Sequence, residues 1–158
     1  MTKKRVYLGL GTNIGDKENN LRQAIEALSL ALGYPVACSH MMESEPWGFE
    51  STNSFLNCAI AFDTTMTPMQ VLDTTEEIER RLGRTSKSHN GQYSDRVIDI
   101  DILLYSNDII NEERLTVPHP HLHKRDFVLT PLKEIAPTLV HPILGRTIEE
   151  LTTNINKV

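Results

Sequence analysis

Val97-Ile98-Asp99-Ile100-Asp101-Ile102-Leu103-Leu104-Tyr105 is the most strand-like stretch of the chain, a run of branched and aromatic side chains interrupted only by two aspartates. A period of two puts Val97, Asp99, Asp101 and Leu103 on one face and Ile98, Ile100, Ile102 and Leu104 on the other. Working back from it, Thr67-Pro68 is an N-cap with proline at the first helical position, and Val71, Leu72, Ile78 and Leu82 form an apolar stripe that Gly83 closes. Before that helix, Phe55 to Thr64 alternates as a strand, and Val36 to Met41, after Gly33 and Pro35, reads as another. Leu21, Ile25, Leu28 and Leu32 recur at helical spacing, and Val6 to Leu10 is the first strand. The order β-α-β-β-α-β predicts an α+β, ferredoxin-like βαββαβ sandwich, with two helices on one face of an antiparallel sheet and extra short elements after Ser106.

A chain of 158 residues is long enough for one self-sufficient core, so residues 1–158 are read as a single domain. Hydrophobic residues at 39% and charged ones at 23% exclude disordered and fibrous classes. Sixteen Lys and Arg against twenty-one Asp and Glu give a net charge of -5, which argues against nucleic acid or anionic lipid as partners and for small molecules met by a local basic site. The basic N-terminus runs straight into a strand, and no apolar run approaches the roughly 20 residues of a membrane span, so the expectation is a cytoplasmic monomer. Cys38 and Cys58 stand in apolar strands without C-x-x-C spacing, and buried free thiols are expected of both.

Asp99 and Asp101 interrupt an apolar row. At a strand spacing of roughly 6.6 Å and an effective dielectric near 20 they repel by about 2.5 kcal/mol. A divalent cation would remove that cost, and oxygen-only ligation suits Mg²⁺, although a solvated strand face reads the same way. Arg80, Arg81, Arg84, Lys87 and Arg96 gather beside them with one acid, Asp95, a balance suited to phosphoryl transfer or, more plainly, to a soluble helix end and loop. His119, His121 and His123 could ligate zinc, but without a fourth ligand nearby a phosphate-binding His119 needs fewer assumptions. Gly9 to Gly15 lacks the G-x-G-x-x-G spacing and reads as a tight turn; no P-loop occurs. The irregular Glu43 to Ser54 is long for a small domain and therefore a candidate functional loop. Trp47, Phe49, Phe55 and Phe127 are core residues by default, or platforms for a ligand ring.

With these segments assembled, the chain resembles the hydroxymethyl-dihydropterin pyrophosphokinases of folate biosynthesis. The resemblance rests on Y-L-G-L-G-T-N-I-G-D at 7–16, F-L-N at 55–57, Gly83-Arg84, D-R-V-I-D-I-D-I-L-L-Y at 95–105 and the long run from Arg114 to Pro137. It implies the same ferredoxin-like fold and transfer of the pyrophosphoryl unit of ATP, the co-substrate, to the pterin hydroxymethyl group with release of AMP. It implies that Asp99 and Asp101 ligate two Mg²⁺ ions and that Arg84, Arg96, His119 and Arg125 contact the triphosphate. Phe55 and Phe127 would sandwich the pterin, with Asn57 and the backbone near Ser44 and Trp47 reading its polar edge. Glu76, Glu79, Ile102, Arg114 and Thr116 would line the nucleotide or support its site. The chain departs from the family pattern between Thr85 and Asp95: Ser86 replaces a second arginine, Tyr93 stands in place of a tryptophan, and Lys87 is the main cation left at the tip of a loop expected to act as a lid. The rival readings are a ferredoxin-like small-molecule or RNA-binding module, which has no use for two aspartates beside cations, and a metal-dependent phosphohydrolase.

Overall fold

The computed structural model describes residues 2–45, 54–83 and 97–156, with side chains as far as 153. In chain order these form β1 (Lys4–Thr12), α1 (Lys17–Leu32), β2 (Ala37–Cys38), β3 (Met42–Ser44), β4 (Phe55–Thr64), α2 (Pro68–Arg81), β5 (Asp99–Tyr105), β6 (Ile110–Asn111), β7 (Thr116–Val117), a 3₁₀ turn at Leu122–Lys124, α3 (Asp126–Ile135) and α4 (Ile148–Asn156). The main sheet is antiparallel throughout its described pairs, in the order β2-β4-β1-β5, with β3 also on the β2 side of β4. β6 and β7 form a separate hairpin.

Alternation in β1 and β4 sorts side chains by size as well as by face. Val6, Leu8, Leu10, Cys58, Ile60 and Phe62 project to one side and are buried against Leu21, Ala24 and Leu28 of α1 and Val71 and Ile78 of α2. Tyr7, Ala59 and Ala61 project to the other, with Gly9 and Gly11 between them in register, and there α3 and α4 pack through Val128, Leu129, Leu132, Ile148 and Leu151. Leu8, Ile60 and Phe62 are fully buried, so truncating any of them to alanine costs about 2–5 kcal/mol. Asp16 caps α1 through Asn19 N–H, and Thr67 and Gln70 form a reciprocal capping box on α2.

Four features differ from the sequence reading. The elements after Ser106 are not appendages: α3 and α4 cover the second face of the sheet, which the βαββαβ order alone leaves bare. α3 carries Pro131 in its interior, and a proline there reads in sequence as a helix stop. The expected strand Val36 to Met41 divides into β2 and β3, because between the pairs Cys38–Ile60 and Met42–Asn57 the edge strand advances four residues against three on β4. At that bulge Ser39 N–H donates to Ala59 C=O (2.8 Å) while Ser39 Oγ accepts from Ala59 N–H (2.9 Å), a side chain standing in for a ladder carbonyl. In β5 the partners jump from Tyr7–Leu104 to Leu8–Ile102, so the bulge at Leu103 turns both Leu103 and Leu104 toward α3 and α4. Leu104 therefore leaves the face it was expected to share with Ile98, Ile100 and Ile102. Finally, β1 continues through Gly11 and Thr12, which were expected in a turn.

Candidate active site

Small residues on the second face leave a cavity between the sheet and α3. Its walls include Gly9, Gly11, Ser44, Glu45, Phe55, Asn57, Ala59, Asp99, Asp101, Arg125, Phe127, Val128 and Pro131. Gly9 lies opposite Asp101 and Gly11 opposite Asp99, so the two carboxylates share a face with bare backbone at their side. A Cβ on Gly11 would meet Asn57 Oδ1 at 3.0 Å and the Phe55 ring at 3.6 Å; on Gly9 it would meet Leu103 at 3.3 Å. Glycine in a strand interior often marks a bulge, a bend or a place where a ligand approaches the backbone closely, and here both glycines line a cavity.

The cavity brings aromatic and charged side chains together. Phe55, at the start of β4, and Phe127, in the first turn of α3, both line it and are half-buried. Asn57 is buried, and its Nδ2 donates to Ser44 Oγ at 2.7 Å and to Met42 C=O at 3.4 Å, which fixes the amide with Oδ1 toward Gly11. Arg125, also buried, holds its guanidinium 5.6 Å from the Phe127 ring centroid, in cation–π range. His119 is anchored by its own N–H to Leu103 C=O (3.0 Å), and its Nδ1 accepts from His121 N–H (3.2 Å). Burial, with Arg125 and His121 adding to it against the opposing charge of Asp99, lowers His119 to about 4. At neutral pH the ring is thus uncharged with its proton on Nε2, able to donate to an anion. Glu79, buried at the end of α2, accepts the Ile100 N–H at 2.8 Å and so braces β5 between the two aspartates.

Ser44, Phe55, Asn57, Asp99, Asp101, Arg125 and Phe127 therefore converge on one cavity, with His119 beside it. Others lie elsewhere. Arg114 bridges Asp73 (2.8 Å) and Glu76 (2.7 Å), fastening the β6–β7 connection to α2, and neither Arg114 nor Glu76 lines the cavity. Thr116 is exposed on β7, and Ile102 puts its side chain in the apolar layer under the helices. Arg80 and Arg81 pair with Glu77 on the exposed side of α2, at 2.7 and 4.0 Å, so these two cations are not aimed at the aspartates. Trp47, Arg84, Ser86, Lys87, Tyr93 and Arg96 lie outside the described residues. Among the described residues no three His, Cys, Asp or Glu side chains gather as a metal cage; His119 neighbours His121 at 6.0 Å, while His123 faces His141 at 6.3 Å. Two carboxylates beside open backbone do fit Mg²⁺, which takes one or two carboxylates and completes its shell with water and phosphate. Sequence reasoning missed Gly9, Gly11, Glu45, Val128 and Pro131, although two glycines two apart within a strand were the available signal.

Comparison with known proteins shows the family to which the chain belongs. The model of the 7,8-dihydro-6-hydroxymethylpterin-pyrophosphokinase family matches residues 7–137. A 2-amino-4-hydroxy-6-hydroxymethyldihydropteridine pyrophosphokinase of Porphyromonas gingivalis is 47% identical over 138 residues, spanning 87% of this chain and 93% of the relative. One from Aquifex aeolicus is 41% identical over 145 residues, 92% of this chain and 88% of the relative. Among solved structures, wild-type Plasmodium falciparum HPPK-DHPS with pteroate matches with a TM-score of 0.78 at 16% identity; the match covers 96% of this chain and 44% of that one, and at this identity it speaks for the fold alone. The protein is thus a transferase, a kinase of the pyrophosphokinase class. Within that class the chain belongs to the 7,8-dihydro-6-hydroxymethylpterin-pyrophosphokinase family, whose work is in folate biosynthesis. No helix among the described residues is long and apolar enough to cross a membrane.

Proposed function

We propose that this chain transfers the pyrophosphoryl unit of ATP to the hydroxymethyl group of 6-hydroxymethyl-7,8-dihydropterin, giving AMP and the pterin diphosphate. The observation that carries the reading is that Phe55, Asn57 and Phe127 line the same cavity as Asp99 and Asp101. The pterin ring stacks between Phe55 and Phe127, and its polar edge meets Asn57 and Ser44, whose mutual hydrogen bond presets their orientation. That arrangement holds the hydroxymethyl oxygen toward Asp99 and Asp101, so that attack on phosphorus is positioned rather than left to diffusion. Arg125 and neutral His119 receive the triphosphate, joined by Arg84 and Arg96. Asp99 and Asp101 would hold two Mg²⁺ ions, which when bound neutralise charge building on the phosphoryl oxygens. The strand order β2-β4-β1-β5 supports the ferredoxin-like reading of the sheet. We further take residues 1–158 as one domain, working as a cytoplasmic monomer without nucleic acid or membrane partners, which light scattering and fractionation test.

³¹P NMR of the protein with ATP, Mg²⁺ and the hydroxymethyl-dihydropterin tests the reaction. AMP and a pterin diphosphate are expected, with no turnover when Mg²⁺ is withheld. Release of phosphate without change in the pterin would make the protein a phosphohydrolase, and ADP with a pterin monophosphate would move attack to the terminal phosphorus.

A further inference from the structure

Both cysteines were expected to be buried and inert, yet Cys38 is exposed at the sheet edge while Cys58 is buried beneath it. The register explains how they meet. Cys38 pairs with Ile60, so Cys58 is its diagonal neighbour on β4, and both point to the α1 face. In a regular ladder such a diagonal pair has Cα atoms about 7–8 Å apart, a separation that closes into a bridge only with some movement of the backbone. Here the edge strand bulges directly after Cys38, which bends it and interrupts the ladder beside the pair, so a small backbone adjustment can bring the two sulfurs together. The bulge is held in place by Ser39 on Ala59 and by His40, whose N–H donates to Glu134 Oε2 (3.0 Å) and whose ring also bonds Glu134.

We propose that Cys38 and Cys58 form a reversible thiol–disulfide site that reacts with low-molecular-weight disulfides. The thiolate of Cys38 attacks one sulfur of RSSR, forming a mixed disulfide and expelling RS⁻. Cys58 then loses its proton and displaces the second RSH as the Cys38–Cys58 bond closes. Two protein thiols are oxidised and one RSSR is reduced to two RSH, so the step balances with no other reactant. The division of labour follows from the surroundings: the neighbouring Cys58 thiol, helped by His40 and opposed by burial and Glu134, lowers the exposed Cys38, whereas Cys38 and burial push Cys58 up. Cys38 is the attacking thiol and Cys58 the resolving one. Cys58 also belongs to the cavity wall between Asn57 and Ala59, so the bond would tie that wall to the sheet edge.

The test is to treat the reduced protein with glutathione disulfide, trap remaining thiols with iodoacetamide, and measure intact mass and peptide maps. Wild type is expected to lose the mass of two hydrogens, with the Cys38 and Cys58 peptides joined, and dithiothreitol should reverse both changes. Cys58→Ser should stop at a glutathione adduct on Cys38, and Cys38→Ser should take up none. A wild-type protein that retains glutathione on Cys38 without closing, or keeps both thiols alkylatable, overturns the proposal, and this readout stands even if Cys58→Ser fails to fold. The Asn57 side-chain amide resonance should shift between reduced and oxidised protein; an unmoved signal would overturn the link to the cavity.

Discussion

Gly11→Ala puts the cavity geometry to a quantitative test. The residue lies in β1 without the positive φ that would exclude a side chain, so alanine is tolerated by the backbone and gains roughly 0.4–1 kcal/mol from a less disordered unfolded chain. Against this, the new methyl would sit 3.0 Å from Asn57 Oδ1 and 3.6 Å from the Phe55 ring. The amide cannot easily retreat, because Nδ2 is held by Ser44 Oγ at 2.7 Å and Met42 C=O at 3.4 Å. Overpacking of this kind costs about 1–3 kcal/mol, so net stability should fall by at most about 2.6 kcal/mol. Pterin binding bears the larger effect: the methyl occupies ligand space and turns the amide that reads the ring edge, and loss of one or two hydrogen bonds corresponds to about 10- to 100-fold in affinity. ATP affinity should be unchanged. Calorimetry of both ligands beside a thermal melt measures all three quantities. Pterin affinity within twofold of wild type, in a variant of normal stability, would refute the placement of the ring edge on Asn57.

Asp99→Asn and Asp101→Asn should each lower kcat by several orders of magnitude with pterin affinity intact, since what is lost is charge stabilisation in the transition state; near-normal turnover in either would remove the metal assignment. Phe55→Ala and Phe127→Ala should each weaken pterin binding by about 1–3 kcal/mol and spare ATP, and an equal loss of both ligands by calorimetry would make these rings core rather than platform. His141 is buried, its Nδ1 accepts from the N–H groups of Ile143 (3.2 Å) and Leu144 (3.1 Å), and burial, with a smaller contribution from His123, holds its pKa below 6.5. The unfolded chain therefore takes up the proton first, so stability present above the unfolded value is lost as pH falls through and below it. Urea midpoints at pH 7.5 and 5.5 should drop less in His141→Asn, which keeps an acceptor near Nδ1 but does not titrate; equal drops would discount the histidine.

Much of the layout is legible in the chain because it rests on strong periodicities. The alternation of β1 and β4 and the helical stripes of α1 and α2 each have one dominant period, and Asp99 and Asp101 share a face for the same reason. What escapes sequence reading is decided by tertiary pairing. No residue of Ile102-Leu103-Leu104 announces a bulge, yet one extra residue sends Leu104 to the opposite face. The bulge after Cys38 likewise depends on how Ser39 meets Ala59, and only the β2–β4 register makes two unremarkable thiols diagonal neighbours. Pro131 hides α3, and with it the reason why β1 and β4 carry glycine and alanine on one side. Arg114 could be read as a nucleotide contact, since only the fold reveals Asp73 and Glu76 beside it.

The most direct measurement of the central claim is a crystal structure of the protein with hydroxymethylpterin, a non-hydrolysable ATP analogue and Mg²⁺. The account predicts the pterin ring between Phe55 and Phe127 with its edge on Asn57, the triphosphate against Arg125 and His119, and metal density at Asp99 and Asp101. A pterin bound away from Phe55 and Phe127, or metal held by residues other than the two aspartates, would contradict it.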